Sequence, residues 1–206
     1  MEIAASELAG LGAYKLLTGC VVPRPIAWIT SVSGAGVVNL APFSCYTIAC
    51  TDPPMLGVSI GPRGKGLKDT SRNILESREF VVNIATADQV ELVHASSAEA
   101  APGVSEADAL GLELLPSTVI RTPRIAISPI QLECRYDRHL VMNDHGDLFI
   151  FGEVLRFHVR DDLIADGKIR TDTLSPLARL AGPNYASLGP TITMAPAKLP
   201  GVTRLS

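Results

Sequence analysis

The chain has 206 residues, with 18 Lys plus Arg against 21 Asp plus Glu, a formal charge of −3. Apolar residues make up 47% and charged residues 19%, which excludes a disordered chain. A slightly acidic chain without a basic tract is also a poor match for the phosphate backbone of nucleic acid.

The length fits one domain with a single core. The 15 Pro and 17 Gly argue for many turns rather than a helical bundle. Residues 5–17 read as a short helix, with Leu8, Leu11 and Leu16 on one side. Residues 20–33 read as a strand whose regular part starts after Pro25, because proline cannot donate to a ladder. Gly34-Ala35-Gly36 is a hairpin signal, and strand continues over 37–40 and 44–50. Asp52-Pro53-Pro54 breaks the chain before a buried strand at 55–60. The 27 residues between Arg24 and Asp52 carry no charge. That is long enough to span a bilayer, but Pro25, Gly34, Gly36, Pro42 and the many hydroxyl side chains predict buried strands and no membrane span.

The Gly-rich basic loop 61–68 leads into a helix over 69–78, where Asp69, Thr70 and Ser71 all offer N-cap oxygens. Strand is predicted at 79–84, helix at 88–95 and a surface loop at 96–107. Ile130, Leu132, Cys134 and Tyr136 alternate with Gln131, Glu133, Arg135 and Asp137, which predicts a strand with one wet face. It pairs through the turn Asn143–Asp147 with a long strand at 148–159. Apolar density falls after residue 160. The count is six or seven strands joined by tight turns, which favours a closed antiparallel barrel. No linker divides residues 1–189, and the proline-rich 190–206, with Pro196 and Pro200, reads as an extended tail. Cys20, Cys45, Cys50 and Cys134 form no CxxC pair and read as reduced, buried thiols of a cytoplasmic protein. No signal peptide is visible.

Several motifs were weighed for chemistry. Gly57-Val58-Ser59-Ile60-Gly61 matches the GxSxG elbow of serine esterases, but a loop and not a helix follows Ser59. Gly61–Gly66 starts like a phosphate-binding P-loop, yet Leu67 stands where lysine is required. The histidines at 94, 139, 145 and 158 show no metal-ligand spacing, so no metal site is expected. Arg63, Lys65, Lys68 and Arg72 gather at a helix N-terminus, where free N–H groups attract a phosphate.

Read together, several segments resemble the flavin reductase-like family of FMN-binding split barrels. They are Tyr14–Gly19, Pro23–Ser31, Asn39–Ser44, Asp52–Pro54, Lys68-Asp69-Thr70 with Asn73-Ile74, and Glu79–Asn83. Leu132–Cys134, Gly152–Val154 and Leu177–Gly182 before Tyr185 follow in order. The resemblance implies a mostly β, six-stranded antiparallel split β-barrel with a few short helices, usually a homodimer. It implies FMN as cofactor and NADH or NADPH as co-substrate. A turn after Ile29 (Thr30, Ser31) would present backbone groups to the flavin ring. The loop Ala41-Pro42-Phe43-Ser44 would hold ring and ribityl chain, and Lys68, Asp69 and Thr70 would meet the phosphate. Arg24 and Asn39 would shape the site, and Arg179 and Tyr185 would reach the flavin or nicotinamide region. Arg179-Leu180-Ala181-Gly182 departs from the expected Arg-Leu-Gly-Gly. The implied activity is hydride transfer from NAD(P)H to FMN, with reduced flavin passed to a separate monooxygenase. The alternatives are an FMN-binding electron carrier of the flavoredoxin type and, from the residues alone, the Ser59 esterase.

Overall fold

The computed structural model of the chain describes residues 1–196 except Ala9, Leu11, Lys65 and Pro102. Leu11 of the first helix, Lys65 of the basic loop and Pro200 of the tail therefore lie outside the described residues. Helix α1 (Gly12–Cys20) precedes β1 (Arg24–Pro25), β2 (Ala27–Val32), β3 (Val38–Phe43), β4 (Tyr46–Thr51) and β5 (Pro54–Ile60). Then come α2 (Asp69–Ser77), β6 (Glu79–Ile84), α3 (Val90–Ala95), α4 (Glu106–Ala109), β7 (Leu114–Leu115) and β8 (Arg124–Ile125). The long strands β9 (Ile130–Val141) and β10 (Leu148–Val159) follow, then β11 (Ile164–Ala165), β12 (Lys168–Ile169), α5 (Thr171–Leu174), β13 (Ala178–Arg179) and β14 (Tyr185–Ala186).

Seven strands form one antiparallel sheet in the order β3-β2-β6-β9-β10-β5-β4. Strands β3 and β4 are its opposite edges, yet only Ser44 and Cys45 separate Phe43 from Tyr46. Three Cα steps reach about 11 Å at most. The sheet must therefore roll until its edges meet at that corner, and the seam is closed by the covalent chain instead of a ladder. Ser59 N–H donates to the Cys45 carbonyl at 2.8 Å and pins the corner to β5. This is a split barrel, with one strand more than the six the resemblance implies. The extra strand arises because the stretch around residues 37–51 turns the corner and becomes both edges.

Side chains of successive strand residues point to opposite faces, so β2 feeds two cores. Ala27 and Ile29 point into the barrel with Ile74, Phe80, Val82, Leu132 and Ile150. Trp28 points outward, packing with Ile26, Leu40, Val93, Ala107, Ile125 and Leu177 under α3, α4 and the chain before β9. Leu163, Leu174, Leu177 and Ala178 are also buried, so the chain after residue 160 returns to the core despite its lower apolar density. Likewise the 96–107 segment is no simple surface loop, since Ser96, Ser105 and Ala107 are buried.

The alternation in β9 is real but its polar face is not wet: Gln131 is 6% exposed and Glu133 0%. The chain over 116–128 covers that face and supplies the partners. Glu133 accepts from the N–H of Thr118 at 2.7 Å and of Val119 at 2.8 Å, and lies 2.5 Å from His158 Nε2. Gln131 donates to the Ser128 and Ile125 carbonyls and accepts from Arg124 at 2.8 Å. Glu79 captures the same loop through the N–H groups of Arg121 and Thr122, both at 2.9 Å. The cysteines also differ from expectation: Cys134 is buried, while Cys20, Cys45 and Cys50 are free and exposed. The uncharged stretch after Arg24 forms β2, β3 and β4. No helix among the described residues is long and apolar enough to cross a membrane. Residues 190–196 are exposed and carry no helix or strand.

Candidate functional site

Helix α2 starts in an unusual way. Its N-cap is Lys68, in extended conformation at φ −64° and ψ 154°, with no side-chain cap. Asp69, Thr70 and Ser71, expected as capping residues, lie inside the first turn. Their backbone N–H groups have no partner within the helix, and the helix dipole leaves that end positive. Strand β3 faces this turn. Asn39 Nδ2 donates to Thr70 Oγ1 at 2.8 Å, and to Ser31 Oγ at 3.3 Å.

Between the two elements lies a cavity of about 200 Å³. Asn39, Ala41, Pro42 and Phe43 form one wall and Lys68, Asp69 and Thr70 another, closed by Arg63 and the segment Ser96–Ala100. The Trp28 indole N–H donates to Ser96 Oγ at 2.9 Å and anchors that segment to the outer core. Lys68 Nζ stands 5.9 Å from the centre of the Phe43 ring. Among the described residues Lys68 forms no ion pair, while Asp69 is held by Arg72. Glu106, also at the cavity, spends its carboxylate on the Leu40 N–H at 2.9 Å. The pocket carries both signs of charge, Arg63 and Lys68 with Asp69, Glu99 and Glu106, and its backbone N–H donors are concentrated at the α2 end.

A second cavity, of about 470 Å³, lies across the 43–44 link. It is lined mainly by apolar side chains, among them Leu17, Val21, Tyr46 and Phe149, with Ser44 and Arg24 at its edge. Burial pushes the Tyr46 phenol up to about 12, so it remains neutral.

The thirteen expected site residues divide into four groups. Asn39, Ala41, Pro42, Phe43, Lys68, Asp69 and Thr70 come together around the first cavity. Residues 41–43 are the end of β3 rather than a loop, and Pro42 is tolerated there because β3 is an edge strand. Arg24 and Ser44 border the second cavity. Arg24 is buried and donates to the carbonyls of Thr18 at 2.6 Å, Val21 at 2.7 Å and Leu180 at 2.9 Å, so it staples three chain segments. Arg179, Tyr185 and His94 form a separate cluster: Arg179 donates to the Tyr185 hydroxyl at 2.7 Å, which lies 3.2 Å from His94 Nδ1. Thr30 and Ser31 are in neither cavity. They belong to β2, not to a turn, and are fully buried. Thr30 donates to the Pro123 carbonyl at 2.7 Å, and Ser31 accepts from Asn39 and Asn73. Ser31 thus stands behind the first cavity and holds Asn39, while Thr30 ties β2 to the chain before β8.

Arg63, Glu106 and the 96–100 segment also line the first cavity, beyond the thirteen expected residues. Arg63 carries a charge signal within the basic loop, whereas Ser96–Ala100 has no local signature at all. Ser59 lies in regular ladder opposite Phe149, and β5 runs into a loop rather than a helix. Among the described residues its hydroxyl has no histidine partner. The geometry of an esterase nucleophile is not built.

Comparison with known proteins finds relatives over nearly the whole chain. The chain is 41% identical to an uncharacterised protein of Halalkalibacterium halodurans over 199 residues, 94% of this chain and 95% of that one. Among solved structures it is similar to nitrilotriacetate monooxygenase component B from Bacillus cereus, with 37% identity and a TM-score of 0.90 over 94% of this chain and 98% of that chain. It is also similar to the 2-nitrobenzoate 2-nitroreductase NbaA of Pseudomonas fluorescens, with 34% identity and a TM-score of 0.89 over 98% and 99% of the two chains. Residues 18–175 match the family described as Flavin reductase like domain, and with that match over most of its length and a split-barrel fold, the chain belongs to the flavin reductase-like family.

Proposed function

We propose that the protein is an FMN reductase that takes hydride from NADH or NADPH. The observation that carries this reading is the cavity in which the β3 residues Asn39–Phe43 meet the α2 entrance Lys68–Thr70. A phosphate needs N–H and cationic donors. Lys68 is unpaired among the described residues, the first turn of α2 has no side-chain cap, and Thr70 Oγ1 accepts from Asn39 and so keeps its own proton to donate. These groups would hold the phosphate, and the Ala41–Phe43 edge the rest of the cofactor.

When bound, FMN supplies the hydride-accepting ring. The chain's part is to fix that ring beside a nicotinamide, and such orientation contributes several kcal/mol on the order found for oriented reactants. Preorganised backbone N–H groups can stabilise developing negative charge without an ionisable side chain. His94, whose carbonyl accepts from the Ser97 hydroxyl at the cavity rim, joins Arg179 and Tyr185 in a cluster that would meet the nicotinamide nucleotide.

A second copy of the chain would complete the molecule. Helix α1 has no buried residue yet presents Tyr14, Leu16 and Leu17, and edge strand β4 leaves Ile48 69% exposed beside the apolar second cavity. A homodimer covering α1 and β4 removes this surface from water. The similar Bacillus cereus protein is a monooxygenase component, which supports an oxygenase as consumer of the reduced flavin.

One mixing experiment tests the reading. Protein, FMN and NADH or NADPH are combined in air, and nicotinamide absorbance is followed. Sustained NAD(P)H loss dependent on added FMN is expected. Bound FMN that is bleached only by a chemical reductant would instead establish an electron carrier, and absence of flavin binding would remove the proposal.

A further inference from the structure

Strand β4 is an edge of the seven-stranded sheet, and its outer side is bare. Among the described residues no strand pairs with that side, and Thr47 to Thr51 are all exposed. The run carries no charge. A bulge around Ala49 interrupts its ladder with β5 but places no charge or proline in it. The opposite edge is protected. Helices α2, α3 and α4 pack on β3, and Glu106 accepts from the Leu40 N–H at 2.9 Å. Exposed edges normally carry lysine, proline or a cover, because free N–H and C=O groups are a template for another strand.

The chain also holds a strand pattern without a ladder. Leu188, Pro190, Ile192 and Met194 alternate with Gly189, Thr191, Thr193 and Ala195. That is the period-two signature of a strand with one apolar face. Yet residues 190–196 lie in no helix or strand, and Ile192 and Met194 are 83% and 79% exposed. Pro190 and Pro196 bracket the five residues Thr191–Ala195, each of which can both donate and accept. The bare part of β4, Thr47–Thr51, is also five residues long. Leu188 lines a small apolar cavity together with Tyr46, so the tail leaves the fold beside the start of β4.

We propose that Thr191–Ala195 of one copy adds to the β4 edge of a second copy as an eighth strand of its sheet; the inference rests on the homodimer reading above and not on the flavin. Main-chain bonds satisfy the bare edge, as in other cases of strand addition. Ile192 and Met194 leave water against the uncharged surface around Ile48, itself 69% exposed. Neither strand carries a charge, so no like-charge pair opposes the match. A two-fold axis makes the exchange reciprocal. Each tail leaves beside its own β4, so two copies facing each other across α1 and β4 bring each tail to the other's edge. In either direction one end of the added strand lies by Thr47, which lines the second cavity, so the second copy completes the rim of that cavity.

Cross-linking tests the pairing. In the full chain carrying Cys20→Ser and Cys45→Ser, Cys50 on β4 is the remaining exposed thiol, since Cys134 is buried. Thr191→Cys, Thr193→Cys and Ala195→Cys are added singly and oxidised mildly. At least one is expected to give a disulfide-linked dimer on a non-reducing gel, and Cys50→Ser to abolish it. In sedimentation, deletion of residues 190–206 and, separately, Thr193→Pro are expected to raise the dimer dissociation constant at least about tenfold, the scale of one or two main-chain hydrogen bonds. A bond from Cys50 to the tail of the same chain, seen as thiol loss without a gain in mass, assigns the tail to its own β4 and overturns the proposal. A dimer of unchanged strength with no cross-link also overturns it and leaves the homodimer reading standing. A monomer at every concentration overturns both.

Discussion

The Asn39 side-chain amide donates to the Thr70 hydroxyl at 2.8 Å, and this bond ties edge strand β3 to the first turn of α2. Both groups are buried. The bond sets the width of the first cavity and orients the Thr70 proton away from Asn39. Thr70→Val removes the acceptor at constant shape and leaves a buried amide short of a partner, a loss of about 1–3 kcal/mol. Thermal or urea unfolding is expected to show that loss, with weaker FMN binding, and Thr70→Ser is expected to restore both. A Thr70→Val protein as stable as the wild type would show that the tie contributes nothing.

Lys68 is exposed and makes no ion pair among the described residues, so its removal separates binding from folding. Lys68→Ala is expected to weaken FMN by about 1–3 kcal/mol, the range for a charge-assisted bond to phosphate. Stability should move by no more than about 0.5 kcal/mol, as for other surface positions. Riboflavin, which has no phosphate, serves as the control; equal loss for riboflavin and FMN would place Lys68 at the ring or nowhere.

Glu133 makes the fold acid-sensitive. Burial by itself would push its carboxyl up, but the N–H groups of Thr118 and Val119 and the side chain of His158 outweigh burial and hold it below its ordinary value of 4.5. A carboxyl depressed in the folded state contributes stability that is complete above the unfolded value and is lost as pH falls through the folded one. The wild type should therefore lose stability on acidification below 4.5. Glu133→Gln cannot ionise, so its stability should be lower near neutrality by about 2–3 kcal/mol, the cost of charged hydrogen bonds lost, and flatter across the acid range. Parallel curves for the two proteins would assign the acid sensitivity elsewhere.

Two glycines in the β5–β10–β9 part of the sheet make opposite predictions. A Cβ on Gly152 would overlap the ring of Phe80, which is 1% exposed and packed inside the barrel. A Cβ on Gly57 would overlap Phe149, which borders the open second cavity and can swing aside. Gly152→Ala is expected to cost about 2–3 kcal/mol by overpacking, and Gly57→Ala under about 1 kcal/mol. Chemical denaturation of the two variants gives the comparison directly, and equal costs would contradict it.

Much of the local structure was legible in the residues. Helix α2, strand β6 and the β9–β10 hairpin lie within a residue or a few of expectation, because polar helix-start residues, period-two alternation and the Asn143–Asp147 turn act over short spans. Half of the site was legible for the same reason: Asn39–Phe43 and Lys68–Thr70 are each contiguous, and each keeps the geometry of its own strand edge or helix turn.

What no window of sequence contains is which strand lies beside which. Period two told that Glu133 and Leu132 face opposite ways, but only the loop around residues 116–124, folded over β9, made the Glu133 side dry. The family resemblance put Thr30 and Ser31 at a turn, yet pairing with β3 extends β2 through both, and they are buried. Arg63 could be recognised as basic, but not as a bridge to Ala100, 37 residues away. The sequence by itself determined the elements, since backbone propensity and side-chain alternation are local. The tertiary structure decided the cavity, since the two-residue corner at Ser44-Cys45 rolls the sheet and brings distant charges within a few ångströms of each other.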